Sequence, residues 1–141
     1  MGFMVLRIAV VALAYYTGGK IGLTMPYMGS SITLLWPPTG IALAALLAWG
    51  LWCWPGVLLG ALLVNLTTSG LSIPIALSIA IGNTLGPILG ALILKRLARP
   101  EDLFKRSRHV IAFILIASGT MLLTATAGTL SLYAGGKLSA I

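Results

Sequence analysis

At 141 residues, with 59% hydrophobic and 8% charged residues and a mean hydropathy of +1.07, the chain is too apolar to live in water. A spanning helix needs about 20 apolar residues, so about five spans with short loops use the whole length and leave no room for a soluble catalytic domain. The net charge of +7 does not indicate nucleic-acid binding, because six of the nine Lys/Arg crowd into one loop beside apolar spans, together with both acidic residues, Glu101 and Asp102.

The patterning predicts an all-α, polytopic transmembrane bundle in one domain, with spans over about residues 3–25, 35–50, 55–66, 73–97 and 109–133. The first run carries Arg7 and an Ala12-Leu13-Ala14 pattern like a signal cleavage site. The apolar character resumes after it and four more runs follow, so this reads as a retained span. Lys20, near its far end, can reach the interface by snorkelling. Gly18 and Gly22 share a helix face and allow close backbone approach. A Gly/Ser-rich loop is expected at residues 26–33.

Next comes Trp36-Pro37-Pro38-Thr39-Gly40. Two prolines are tolerated at a helix start, where their missing N–H groups have no intrahelical partner. The second span therefore begins here, with Trp36 at the membrane–water boundary. It is short for a crossing, which calls for an irregular entry or shielding by neighbouring helices. Trp49, Trp52 and Trp54 around the next turn read as an interfacial belt, and Pro55 opens the third span. The lone Cys53 closes no internal disulfide and reads as a small interfacial residue. Asn65-Leu66-Thr67 matches a glycosylation sequon but ends an apolar run, so the match is taken as chance.

The fourth span places Ser78, Gly82, Gly86 and Gly90 at intervals of four. They form one small-residue stripe, the expected site of the tightest helix contact. Pro87 beside it is expected to kink the helix, with Asn83 and Thr84 adding polar groups there. The basic loop contains Lys95, Arg96, Arg99, Lys105, Arg106 and Arg108. It marks the cytoplasmic side and lies against lipid headgroups. Alternation of five spans then puts the N-terminus in the cytoplasm. The fifth span is rich in Ser and Thr, whose hydroxyls can bond carbonyls of their own helix.

No acidic residue falls in a span, which argues against an ion-coupled transporter. The single His109 sits among cytoplasmic charges. It reads as an interfacial histidine, with haem or pigment ligation as the sharper alternative. One His and one Cys support no closed metal site. No nucleophile–base set and no phosphate-cradling loop is present, so no enzyme, cofactor or metal is expected. The polar minority in the spans, Asn65, Asn83, Thr84, Thr124 and Thr126, reads first as glue between helices and second as a ligand pocket near Pro87.

From Leu35-Trp36-Pro37-Pro38-Thr39-Gly40-Ile41-Ala42-Leu43-Ala44 onward, the sequence resembles the MASE1 family of bacterial membrane-associated sensor domains. The likeness continues through Trp54-Pro55-Gly56, Leu59-Gly60-Ala61, Val64-Asn65, Ala80-Ile81-Gly82-Asn83-Thr84-Leu85, Gly90-Ala91 to Arg96, and Gly128-Thr129-Leu130-Ser131-Leu132-Tyr133. The resemblance implies an inner-membrane input module ahead of a histidine kinase, diguanylate cyclase or phosphodiesterase output. It also implies a longer domain with more spans, so the chain is expected to be a fragment or a short stand-alone relative. The alternative is a small structural or accessory subunit of a larger membrane complex. The expected partners are the bilayer and other membrane helices; no ligand is specified.

Overall fold

A computed structural model describes residues 2–25, 36–68 and 70–136. The expected loop at residues 26–33, Leu35 at the entry to the second span, and Lys137 lie outside the described residues. Five α-helices carry most of the rest: α1 (Gly2–Leu23), α2 (Pro37–Ala48), α3 (Trp54–Leu66), α4 (Ile73–Leu97) and α5 (Ser107–Ala134). Short 3-10 turns, Leu51–Cys53 and Pro100–Asp102, link α2 to α3 and α4 to α5. The described residues contain no strand, and the all-α class expected from the sequence holds.

Prolines open three of the helices. Pro37 and Pro38 begin α2, Pro55 lies in the first turn of α3, and Pro74 in that of α4. At each place the missing N–H removes no intrahelical bond. The second apolar run stops at Ala48 rather than Gly50, because Gly50 takes φ +107°, a conformation that favours glycine. Helix α4 continues as one helix through Pro87. The carbonyl of Asn83 nevertheless loses its usual partner there, since Pro87 has no N–H to offer.

Helices α1, α4 and α5 have 22, 25 and 28 residues and are long and apolar enough to cross a membrane. At 12 and 13 residues, α2 and α3 extend only about 18–20 Å. They are shielded instead by their neighbours. Helices α1, α2, α4 and α3 form a ring in that order, each packed on the next, while α5 lies outside the ring against α4.

Glycines set the close approaches. A Cβ at Gly56 would sit 2.5 Å from the Ile8 carbonyl oxygen, one at Gly60 2.7 Å from Tyr15 Cβ, and one at Gly19 2.6 Å from Val64 Cγ2. These contacts advance together along both helices, so α1 and α3 run parallel. Gly18 meets Ile41 near the start of α2, and Arg7 stands 5.6 Å over the Trp49 ring beyond its end, so α1 and α2 are antiparallel.

The two short helices end in carbonyls that lack helical partners. Lys95 of α4 donates from Nζ to the Leu46 carbonyl at 2.7 Å, and Lys20 of α1 donates to the Thr67 carbonyl at 3.0 Å. Each lysine thus places a positive charge at the negative end of a helix dipole.

Candidate functional site

The stripe on α4 is where α5 docks. Ser78 and Ser131 share a hydroxyl–hydroxyl hydrogen bond of 2.8 Å. A Cβ at Gly82 would fall 2.8 Å from Ala127 Cβ, one at Gly86 against the Thr124 hydroxyl, and one at Gly90 3.0 Å from Thr120 Cγ2. Numbers rise on α4 as they fall on α5, so the pair is antiparallel. Replacing any of these glycines would force the helices apart, which in lipid removes the packing that holds them.

Beside this seam lies a cavity of about 550 Å³. It sits between the start of α2, the ends of α1 and α3, the first half of α4 and the second half of α5. Trp36, Thr39, Asn65 and Asn83 supply polar groups, and Val64, Ile79, Met121 and Leu132 supply apolar wall. No charged side chain is among its described lining residues. It opens along α5, where Ala125 and Thr129 line it and remain exposed.

Four of the candidate pocket residues, Trp36, Thr39, Asn65 and Asn83, therefore meet at one cavity. The others do not. Pro38 is buried near Gly18, Pro87 is buried in the interior of the bundle, and Gly40 is exposed with open space where a Cβ would stand. Pro37 is half-buried at the first turn of α2. Thr84 is buried and donates to the Ala80 carbonyl at 2.7 Å.

The polar residues expected to act as glue mostly bond within their own helices. Asn65 Nδ2 donates to the Ala61 carbonyl at 2.8 Å, Thr124 to Thr120 at 2.8 Å, and Thr126 to Leu122 at 2.8 Å. Each of these bonds reaches a carbonyl one turn back in the same helix. Asn83 differs. Its side chain makes no such bond back to its own helix and stands beside the hydroxyl of Tyr15.

Tyr15 was not singled out from the sequence. Its side chain is wholly buried, and its hydroxyl lacks a hydrogen-bond partner among the described residues. An unmet buried hydroxyl costs about 1–3 kcal/mol. The signal was available: a phenol in mid-span needs a partner that the same helix cannot offer a ring of that length. The contribution of α5, through Met121, Gly128 and Leu132, had no comparable sequence signal.

The basic residues gather at the opposite end from the cavity. Lys95 and Arg96 close the last turn of α4, and Lys105 pairs with Asp102 at 2.9 Å. Arg99, Arg106 and Arg108 are exposed. Arg7 joins them at that end through Trp49, while Lys20 lies at the other. Hydrogen bonding from Lys105 holds the Asp102 carboxyl below its ordinary value.

Long apolar helices, a small-residue seam and a one-sided belt of positive charge define an integral-membrane helix bundle. More narrowly, the chain belongs to the MASE1 family, whose model it matches over residues 6–140. That family comprises membrane-associated sensory domains found in histidine kinases and cyclases. No curated protein and no solved structure matched the chain.

Proposed function

We propose that this chain is the membrane-embedded input module of a bacterial signalling protein, without catalytic activity, and that it reads an uncharged, mostly apolar molecule. The observation that carries this reading is the cavity of about 550 Å³ with polar groups and no charge among its described lining residues. Taking an unpaired ion into such a site costs several kcal/mol, whereas a neutral molecule gains from apolar contact and one or two hydrogen bonds.

The basic end is cytoplasmic in this reading, with the N-terminus beside it and the cavity in the outer half of the inner membrane. Helices α1 to α5 then make five crossings as one domain. One wall of the cavity is α5, held mainly by α4. A ligand that fits one α4–α5 packing better than another shifts their populations by that difference in affinity.

The test is thermal unfolding of the intact protein in detergent with n-octanol, cyclohexanone and 1-naphthol as neutral probes, against octanoate and octylammonium. Neutral probes are expected to raise the melting temperature. Gly128→Leu is expected to abolish that rise, since Gly128 lines the cavity and a Cβ there meets open space. Equal stabilisation by charged probes, or an unchanged response in the variant, overturns the reading.

A second reading, an accessory subunit in a larger membrane complex, draws on the outer faces of α5, which is only 11% buried over its most apolar stretch. Purification of the intact protein in mild detergent as part of a stable complex, with no response to the neutral probes, would favour it.

A further inference from the structure

At the end of the bundle away from the cavity lies a second hollow, of about 360 Å³, between the end of α4 and the start of α5. Arg99, Lys105, Arg106, Arg108 and His109 line it, together with Asp102 and the apolar Leu97. Charge there is one-sided. Among the described residues the only ion pair is Lys105 with Asp102, at 2.9 Å, and it occupies the hollow's one carboxylate. His109 Nδ1 is held 3.1 Å from the Asp102 carbonyl oxygen. Three guanidinium groups and the Lys105 ammonium therefore share one opening with a single lining carboxylate, Asp102, which lies near Arg99 and Arg106 as well, so positive charge is in excess. Like charges gathered in this way repel one another, and a bound anion relieves the repulsion.

Apolar surface adjoins the charge. Phe104 is 67% exposed although its ring packs on Phe113, with centroids 5.2 Å apart. Leu97 lines the hollow and is 47% exposed, and the exposed Ile93 lies one turn back on the same face of α4. A free anion has no use for these groups. A phospholipid meets both features, because it carries a phosphate and acyl chains in one molecule. Guanidinium groups match phosphate oxygens in pairs, and basic hollows among membrane helices suit phosphorylated headgroups.

We propose that this hollow binds the phosphate of an anionic phospholipid, with Arg99, Arg106 and Arg108 as donors and the acyl chains along Leu97 and Ile93. The site is separate from the sensory cavity and stands or falls independently of it.

The experiment is native mass spectrometry of the intact protein in detergent, titrated with phosphatidylglycerol or phosphatidylcholine. Phosphatidylglycerol is expected to be retained at least about tenfold better. Each basic residue near an anionic surface is worth about fivefold, so the triple variant Arg99→Gln, Arg106→Gln, Arg108→Gln loses on the order of a hundredfold. Arg96→Gln, outside the hollow, changes retention by about fivefold at most. Asp102→Asn frees Lys105 and raises retention about fivefold, a gain that misfolding cannot produce. Equal retention of the two lipids, an unaffected triple variant, or no gain in Asp102→Asn overturns the proposal. Inorganic phosphate in about tenfold excess is expected to leave phosphatidylglycerol bound. Displacement would reassign the hollow to free phosphate and overturn the lipid assignment.

Discussion

Helices α4 and α5 are both long, apolar and free of acidic residues, yet their most apolar stretches are 56% and 11% buried. The first is a hub: it touches α2, α3 and α5. The second leans chiefly on α4, along one narrow line of small residues. Hydrophobicity alone does not distinguish them, because lipid and helix interior are equally apolar to a leucine. What distinguishes them is where backbones come close. The ring contacts at Gly19, Gly56 and Gly60 lock α1 to α3, whereas Ser78, Gly82, Gly86 and Gly90 dock a helix that has little else to hold it. The cavity lies on the loosely held side. A wall with one mainstay is the natural moving part of a sensor.

That contrast yields a ranked set of variants. The largest effect is expected for Gly60→Leu, which would drive a side chain into Tyr15 and the Ala12 carbonyl inside the ring. A loss of about 3 kcal/mol or more follows from overpacking against backbone, read by denaturant titration in mixed micelles. Gly86→Leu should cost about 2 kcal/mol and act locally, releasing α5 while α1 to α4 stay folded. Limited proteolysis would then cut near residues 99–106 faster without degrading the ring. If Gly86→Leu unfolded the whole chain as Gly60→Leu does, the division into ring and outlying helix would be wrong.

Lys95→Met comes next. It removes the charged donor from the Leu46 carbonyl, and a loss of about 1.5 kcal/mol is expected in the same titration. Lys95→Arg should recover part of it. The smallest expected change is that of Gly128→Leu, a gain of up to about 1 kcal/mol from better helix propensity at a position with open space. A loss there instead would mean that the cavity wall is packed in the native bundle.

Much of this was legible in the residues. The Pro37-Pro38 and Pro55 starts follow from φ and the missing N–H, and helices duly begin there. The four-residue spacing on α4 announced a close contact, because one helix face repeats at that interval. Less was legible of the site. Trp36, Thr39, Asn65 and Asn83 stood out as polar or aromatic groups in oily surroundings, but nothing in the sequence joined the Trp36–Thr39 turn to Asn65 or Asn83. Asn65, Thr84, Thr124 and Thr126 each bond a carbonyl one turn back, because that carbonyl is always within reach, whereas a neighbouring helix is not. Tyr15 was legible only as a phenol in mid-span; that its hydroxyl has no partner among the described residues depends on the helices around it.

The chain's own chemistry determined that it is a bundle of apolar helices, where those helices start, and which side carries the positive charge. Those properties depend on residues near one another along the backbone. Only the tertiary structure decided that α2 and α3 sit diagonally across a ring, that two lysines finish their open carbonyls, and that side chains from three separate segments share one cavity. The reason is physical: close contact between helices is set by which small residues face each other. Facing is a relation between segments that no single segment contains.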